Sequence, residues 1–462
     1  MSYAIIDIGY NAMRAVVYES NELGSLEIFN NTFKSDVINL LNLDNLEVKH
    51  QTYLALQYLV HIFNRLSVTN IKCVATAVLR GHPRAQEFQQ IIKQKFNINT
   101  EIISGEEEAY LTACGLLSGI SGACGIVADL GGGSLELAQV KDKKVGILQS
   151  LPLGTRLINN DGANNFARIS QMLRDKFGET HYQNLYLIGG ALRLIGRSYI
   201  EFIHYPIKNL HNLEISPNEF RSYLDHLSIA SMVKTKYELR VHLNAILVAQ
   251  IMLDVFAPKQ IVVSNYGLKE GVRFTNLTKE EQEKDIIYEK IKILTNFKES
   301  ICHIDKYIEE IKPILILPDK VTINTIILAI MLSQYNKTID KTFRSNYSVE
   351  FILSSEIPFT HRQRLMLSTI MSIAHSAGDG YINKLSQRII NKTDYWNSYI
   401  IGNFIKIARR IDGPKFQSPS FSFELKSDKY IEISTLHILP KLVFEQVCEC
   451  LKNMGLARKN IY

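Results

Sequence analysis

The sequence predicts an α/β protein in which one strand–turn–strand unit occurs twice, followed by a mainly helical C-terminal part. Three observations carry this. Val127-Ala128-Asp129-Leu130-Gly131-Gly132-Gly133-Ser134-Leu135-Glu136-Leu137 reads as a strand, a tight glycine turn and a second strand. Tyr3-Ala4-Ile5-Ile6-Asp7-Ile8-Gly9, followed by Ala15-Val16-Val17-Tyr18, repeats that design near the start. Beyond residues 277–290, where Lys and Glu dominate, the apolar spacing becomes helical to about residue 412.

The elements follow in order. Residues 48–66 have helical spacing, with Leu54, Tyr58, Leu59 and Ile62 on one face. Lys72-Cys73-Val74-Ala75-Thr76-Ala77 is a strand leading to Arg80. Pro83 opens a helix to about Gln94, because proline suits a first helical position. Residues 98–103 form a strand. Ser104 and Glu107 then fit a capping box, and the helix it starts runs to about Leu117. Residues 145–153 are a strand, and Leu185 to Ile188 is another that ends in Gly189-Gly190 and feeds a helix over residues 191–202. Residues 217–226 and 243–256 read as helices, and Ile261-Val262-Val263-Ser264 as a strand. Near the end, residues 421–425 and 430–434 alternate around Lys426-Ser427-Asp428, which predicts a short hairpin before a helix over residues 440–454. The domain boundaries expected are 1–122, 123–282 and 283–462, with the hairpin near 421–434.

The central turn carries the chemistry. Three consecutive glycines let the backbone approach a ligand, and their N–H groups can converge on an anion. Asp129 and Glu136 flank the turn, so two carboxylates border one small space. Amides for phosphate oxygens beside carboxylates for a hard cation are the parts of a Mg–phosphate site. A flexible hairpin with solvated acids is the plainer alternative. Gly189-Gly190 before a helix makes a second anion seat.

Composition sets limits. The 462 residues allow two to four domains of roughly 100–200 residues each. Hydrophobic residues make up 46% and charged residues 21%, enough for a sizeable core. The net charge of +6 suits a polyanionic ligand without demanding one. The six cysteines are scattered, and the spacing of Cys448 and Cys450 is no metal knuckle, so a reduced, cytoplasmic compartment is expected. Asp7, Arg14 and Glu19 interrupt the first apolar run, which therefore does not read as a signal peptide. No run of about 18 apolar residues suggests a membrane span.

Asp7-Ile8-Gly9-Tyr10-Asn11, Ser104-Gly105-Glu106-Glu107-Glu108-Ala109, the Asp129 to Glu136 stretch and Ile188-Gly189-Gly190 occur in this order. With Leu151-Pro152-Leu153-Gly154 and Tyr266-Gly267-Leu268-Lys269-Glu270-Gly271, they resemble the exopolyphosphatase/guanosine pentaphosphate phosphatase family over roughly residues 1–275. The resemblance implies duplicated actin-like (ribonuclease-H-like) domains. It implies release of a terminal phosphate with a divalent metal, usually Mg²⁺, and a homodimer. Polyphosphate or guanosine pentaphosphate would be the substrate; no specific nucleic acid and no membrane partner is expected. Glu108 falls on the family's catalytic glutamate, with Arg80 as a catalytic partner. Asp129, Glu136 and Asp7 become the metal candidates. Gly9, Asn11, Arg14, Gly131, Gly132, Gly133, Ser134, Gly189 and Gly190 become the phosphate-binding candidates, and Arg156 joins Arg14 as a further arginine for the same charge.

The chain departs from the family pattern at several places. Tyr10 and Ala12 replace serines, Ala191 replaces a threonine and Arg84 replaces an asparagine. These changes bear on rate and substrate preference. An ATP-using kinase of the same fold is the competing enzyme class, but no G-x-x-x-x-G-K-[ST] motif is present. A sensor that binds polyphosphate or an alarmone and hydrolyses it poorly is the non-enzymatic alternative. In the C-terminal part, Arg344, Arg362, Arg364, Lys406, Arg409 and Arg410 are a candidate track for a polyanion, and His375 with Asp379 does not read as a metal-phosphohydrolase pair.

Overall fold

The computed structural model describes the chain except for residues 1, 11, 35, 47–48, 157–161, 179–180, 229–242, 298–300, 336–338, 376–388, 426–429, 455–456 and 462. It forms two compact units: residues 1–205 with 210–286, and residues 206–209 with 287–462.

The first unit holds two sheets of matching order. In the first, β1 (Tyr3–Ile8), β2 (Ala12–Tyr18) and β3 (Glu27–Lys34) run as an antiparallel meander. β4 (Asn70–Ala75) lies parallel to β1, and β5 (Thr100–Ile102) lies parallel to β4. β1 is buried at every position, as a central strand covered on both faces requires, whereas β3 is mostly solvated at the edge. In the second, β6 (Gly125–Leu130), β7 (Leu135–Lys141) and β8 (Lys144–Leu151) repeat the meander. β9 (Asn184–Ile188) is parallel to β6, and beyond it come β11 (Gln260–Val263) and an antiparallel edge strand, β10 (Leu213–Ile215). The orders β3-β2-β1-β4-β5 and β8-β7-β6-β9-β11 correspond strand for strand. This is the duplicated actin-like fold.

The helices of this unit are α1 (Val37–Leu41), α2 (Gln51–Arg65), α3 (Ala85–Phe96), α4 (Gly105–Gly119), α5 (Gly162–Phe177), α6 (Gly189–Phe202), α7 (Pro217–Ser228), α8 (Leu243–Phe256), α9 (Leu268–Thr275) and α10 (Lys279–Glu283). The face expected for α2 is corrected. Leu54 and Tyr58 are 47% and 45% exposed, while Tyr53, Leu56, Leu59 and Phe63 are buried. Two apolar stripes compete on this helix, and the one carrying Tyr53 wins because that ring stacks on Phe88 of α3. α3 begins at Ala85 rather than Pro83; the His82 imidazole accepts from the Arg84 N–H at 3.2 Å in the turn before it.

Helices α4 and α9 exchange places. α4 leaves the first sheet in chain order, yet Ala113, Leu116 and Leu117 pack on Val127, Ala138 and Val140 of the second. α9 follows the second sheet, yet Leu268 and Val272 pack on Tyr3, Ile5, Val16 and Tyr18 of the first. The two helices meet backbone to backbone: a Cβ at Gly271 would overlap the Leu111 carbonyl, and one at Gly115 the Gly267 carbonyl.

The second unit is mainly helical: α11 (Ile286–Thr295), α12 (Ile301–Ile311), α13 (Lys320–Leu332), α14 (Arg344–Ser354), α15 (His361–Ala374), α16 (Lys392–Ile411) and α17 (Lys441–Asn453). The expected hairpin is present as β12 (Phe421–Leu425) and β13 (Tyr430–Thr435), with its Lys426–Asp428 turn outside the described residues. A third strand, β14 (Ala457–Ile461), adds parallel to β13 and was not anticipated. The polyanion track loses two members. Arg364 is fully buried and donates to the carbonyls of Ile352, Ser355 and Ile357. Arg362 is committed to Asp394 and Asp319. Both serve the fold. Among the described residues no helix is long and apolar enough to cross a membrane.

Candidate active site

Two turns of the same build border one cavity. The β1–β2 turn closes with the Gly9 N–H on the Ala12 carbonyl at 3.0 Å, and the β6–β7 turn with the Gly131 N–H on the Ser134 carbonyl at 2.9 Å. The triple-glycine turn is held from behind by residues 155–156, whose N–H groups donate to the carbonyls of Gly131 and Gly132 at 3.1 Å each. The cavity, about 560 Å³, is lined by Asp7, Gly9, Arg14, Glu108, Asp129, Gly131, Gly132, Gly133, Ser134, Gly189 and Gly190. Asn11 lies outside the described residues.

Gly189 and Gly190 are the first turn of α6 rather than a loop before it. Gly189 has φ +74°, and a Cβ there would lie 2.5 Å from Asp129 Oδ1. Glycine is required on both counts, and it lets the free amides at the start of α6 open towards the acids of β6.

At the head of α4 the Ser104 hydroxyl accepts from the Glu107 N–H at 3.1 Å, but the Glu107 carboxylate does not complete the expected capping box. Glu106 and Glu107 are exposed, and Glu108 is buried and lines the cavity. Arg80 pairs with Glu108 and reaches Glu136 at 3.9 Å, while its Nε donates to the Ile103 carbonyl at 3.1 Å. Glu136 is buried behind the cavity wall, where the Ser150 hydroxyl donates to its Oε1 at 3.0 Å. Arg80 and Glu136 thus support the lining rather than form it.

Burial dominates the electrostatics. It pushes the Asp7 carboxyl up to about 6, with Arg14 and Lys269 pulling back. It pushes Glu136 up to about 7, against hydrogen bonds from Ser134 and Ser150. Asp129 is raised by burial and held down in part by Arg193 and Arg14. Glu108 is held well above the usual range by burial and then by the neighbouring Glu136, with Arg80 opposing both. Asp7, Glu108 and Asp129 line the pocket and Glu136 lies behind its wall; all four resist ionisation, and a cation in the pocket would relieve them.

Among the described residues, no three His, Cys, Asp or Glu side chains converge as a ready metal cage. The donor set still fits Mg²⁺, which keeps several waters and is commonly held by one or two carboxylates together with substrate phosphates. Hard carboxylate oxygens, destabilised by burial and opposed by amide-rich turns, are that half-site.

Some lining residues were missed by sequence reasoning. Arg193 points back along α6, donating to the carbonyls of Gly189 at 3.3 Å and Asn265 at 3.2 Å. Lys269 and Glu270 enter from the start of α9, and Thr112 reaches Asp129 at 3.5 Å. Only its place one turn into a glycine-led helix hinted at Arg193. Tyr10 lines the cavity against Gly133 and Ala77, with the Arg156 guanidinium 5.4 Å from its ring centre.

The family model of the Ppx/GppA phosphatase family matches residues 17–280. It therefore leaves out β1 with Asp7 and nearly all of the second unit. Among solved structures, the chain is similar to a Ppx/GppA family member of Aquifex aeolicus, at 20% identity and a TM-score of 0.49, covering 59% of this chain and 96% of that one. It is similar to an exopolyphosphatase from Cytophaga hutchinsonii at 19% identity and a TM-score of 0.48, covering 60% and 97%. Further away is MreB5 of Spiroplasma citri bound to ADP, at 12% identity and a TM-score of 0.26, covering 60% and 96%.

Proposed function

The chain belongs to the Ppx/GppA phosphatase family, and on that premise we propose that it releases the terminal phosphate of inorganic polyphosphate by water attack at the phosphoanhydride end. One observation carries this reading: Glu108, alone among the three acids that open α4, is buried and turned into the cavity where the glycine turns meet.

Glu108 accepts a proton from the attacking water. Burial makes its carboxylate a stronger base, and the Arg80 pairing opposes that rise and orients the carboxylate. The water oxygen bonds to the terminal phosphorus as the bridging P–O bond breaks, and the shortened chain leaves with the electron pair of that bond. Amides of Gly132 to Ser134 and of Gly189-Gly190 face the equatorial oxygens, whose charge Arg14 and Arg193 help to balance. Asp129 and Asp7 would hold Mg²⁺, directly or through water, with the Glu136 carboxylate adding its charge from behind the wall. When bound, that ion supplies neutralisation of phosphate oxygens.

Guanosine pentaphosphate is the second reading, favoured by one feature. Tyr10 presents an aromatic ring at the cavity where the family pattern has a small serine, and a ring can stack a nucleobase. Phosphate release from defined polyphosphate and from guanosine pentaphosphate, with and without Mg²⁺, tests both. Turnover of polyphosphate that survives Glu108→Gln would defeat the proposal. Turnover of the nucleotide alone would replace the first substrate with the second.

A further inference from the structure

The chain has one tryptophan, Trp396, and it is 46% exposed near the start of α16. Its ring meets those of Tyr395 and Tyr399 edge-on, at 6.0 and 5.8 Å between centres. Lys392 stands one helical turn earlier, on the same side of α16.

The next residue, Asn397, is buried and clamps a distant segment. Its Oδ1 accepts from the Ile316 N–H at 2.8 Å, and its Nδ2 donates to the Ile316 carbonyl at 2.9 Å. The stretch that joins a short 3-10 turn (Lys312–Ile314) to α13 is thereby pinned against the start of α16. Ile316 is 44% exposed, and the residue after it turns outward: Leu317 is 90% exposed, with φ +39°. A leucine in the left-handed region carries backbone strain, and this one also leaves its apolar side chain in water. Neither stabilises the fold. Strain that the surroundings hold in place points to a use. The patch joins segments 81 residues apart, so no stretch of the sequence announces it.

Its rim is basic. Arg362, in the first turn of α15, pairs with Asp319, the N-cap of α13, at 2.7 Å and with Asp394, in the first turn of α16, at 2.5 Å. The three helices therefore begin side by side, and both acids are engaged by Arg362. Lys320 and Lys392 are the first residues of α13 and α16, and Lys312 opens the 3-10 turn; all three are exposed.

The chemistry favours one partner. The anchors of a protein interface sit in packed, desolvated pockets, whereas Leu317 projects from a fixed tip. A projecting leucine beside tryptophan and tyrosine, with lysines around them, matches a bilayer interface. The alkyl group enters the acyl boundary, the rings lie at the headgroup level and the lysines meet anionic headgroups. Such attachment is peripheral and needs no spanning helix.

We propose that Leu317 and Trp396, flanked by Lys312, Lys320 and Lys392, dock the second unit onto an anionic lipid surface.

The sole tryptophan makes the patch its own reporter. The full chain is titrated with vesicles of phosphatidylcholine, alone or in equal parts with phosphatidylglycerol. The anionic vesicles should move the Trp396 emission to shorter wavelength, and brominated acyl chains should quench it. Neutral vesicles should do much less. Leu317→Ser keeps the reporter and should weaken binding about tenfold or more. Lys320→Gln with Lys392→Gln should weaken it about tenfold or more and reduce its dependence on salt. Trp396→Ala should fail to sediment with the anionic vesicles, and melting curves confirm that each variant is folded. An unchanged emission with anionic vesicles, equal binding to neutral ones, or wild-type affinity in Leu317→Ser would each overturn the proposal. So would an emission shift that grows with protein concentration in the absence of vesicles, which would assign the patch to a second copy of this chain. None of these readouts uses turnover, so the docking surface and the proposed reaction stand or fall separately.

Discussion

Asp129 stands opposite Glu136 across the β6–β7 ladder. The same register in the first sheet places Asp7 opposite Arg14. The duplicated frame thus presents two acids on one hairpin and an acid with a base on the other. In the proposed reaction a cation would sit nearer the β6–β7 hairpin, and phosphate charge would find its basic counterpart on the β1–β2 hairpin.

That asymmetry predicts where Mg²⁺ dependence resides. Asp129→Asn and Glu136→Gln each remove a hard oxygen beside the triple-glycine turn. Mg²⁺ should raise the melting temperature of the wild type with a phosphate ligand and do so much less in either variant, with turnover falling sharply. Melting curves across a Mg²⁺ titration check this; an equal shift in all three proteins would remove these residues from the metal site.

The three acids of α4 should separate by role. Glu108→Gln keeps shape and hydrogen bonding but loses the base, and turnover should drop by about 10²–10⁴-fold. Glu106→Gln and Glu107→Gln change exposed side chains. Their stability should move by about 0.5 kcal/mol or less, with near-normal rates. Initial rates and thermal melts of all three check the register.

Gly189→Ala should damage the site without dismantling the fold. The new Cβ meets Asp129 Oδ1 at 2.5 Å, in a backbone conformation with φ +74°. The strain is worth about 1–3 kcal/mol. Displacing Asp129 relieves the first contact, and the Leu130 N and O, each 2.8 Å from the new Cβ, push the start of α6 away from β6. The expected result is a modest fall in melting temperature with a large loss of Mg²⁺-dependent turnover. Wild-type activity in this variant would show that the close approach of α6 to Asp129 is dispensable.

Metal-free stability should depend on pH through Asp7. Its folded carboxyl holds a proton up to about 6, against 3.8 for the free group. Between those values the folded state binds more protons than the unfolded one, so stability falls as pH rises through the window. The loss is complete above about 6 and amounts to about 3 kcal/mol at most. Asp7→Asn should therefore melt higher than the wild type in EDTA at pH 8 and lose that advantage towards pH 4. Paired melts at the two pH values measure it.

Much of this was legible in the sequence. The two Asp–Gly hairpins were readable because strand alternation and glycine turns are local signals. Helical geometry already required Glu106, Glu107 and Glu108 to point apart, and the family pattern chose Glu108. Other features depend on tertiary contacts that no local pattern records. Leu54 and Tyr58 made as good a helical stripe as Tyr53 and Leu56, until Phe88 decided between them. Gly189-Gly190 looked like a break before a helix, because glycine is a poor helix former, yet it is the first turn of α6. Arg193 resembled any surface arginine, and Arg364 resembled a member of a basic track until its carbonyl partners were seen. β14 lacks the alternation that marks a strand and exists by pairing with β13.

The exchange of α4 and α9 means that the halves of the first unit by chain order are not its halves by attachment. Glu108 is delivered by a helix that continues from the first sheet, yet that helix is seated on the second, beside Asp129 and Glu136. Arg80 stays with the first sheet's connection, so the Arg80–Glu108 pair is a seam between the two seatings. A chain divided for fragment complementation should therefore be cut just ahead of Ser104. A cut at residue 122, after α4, would strip the second fragment of the layer that covers its own sheet.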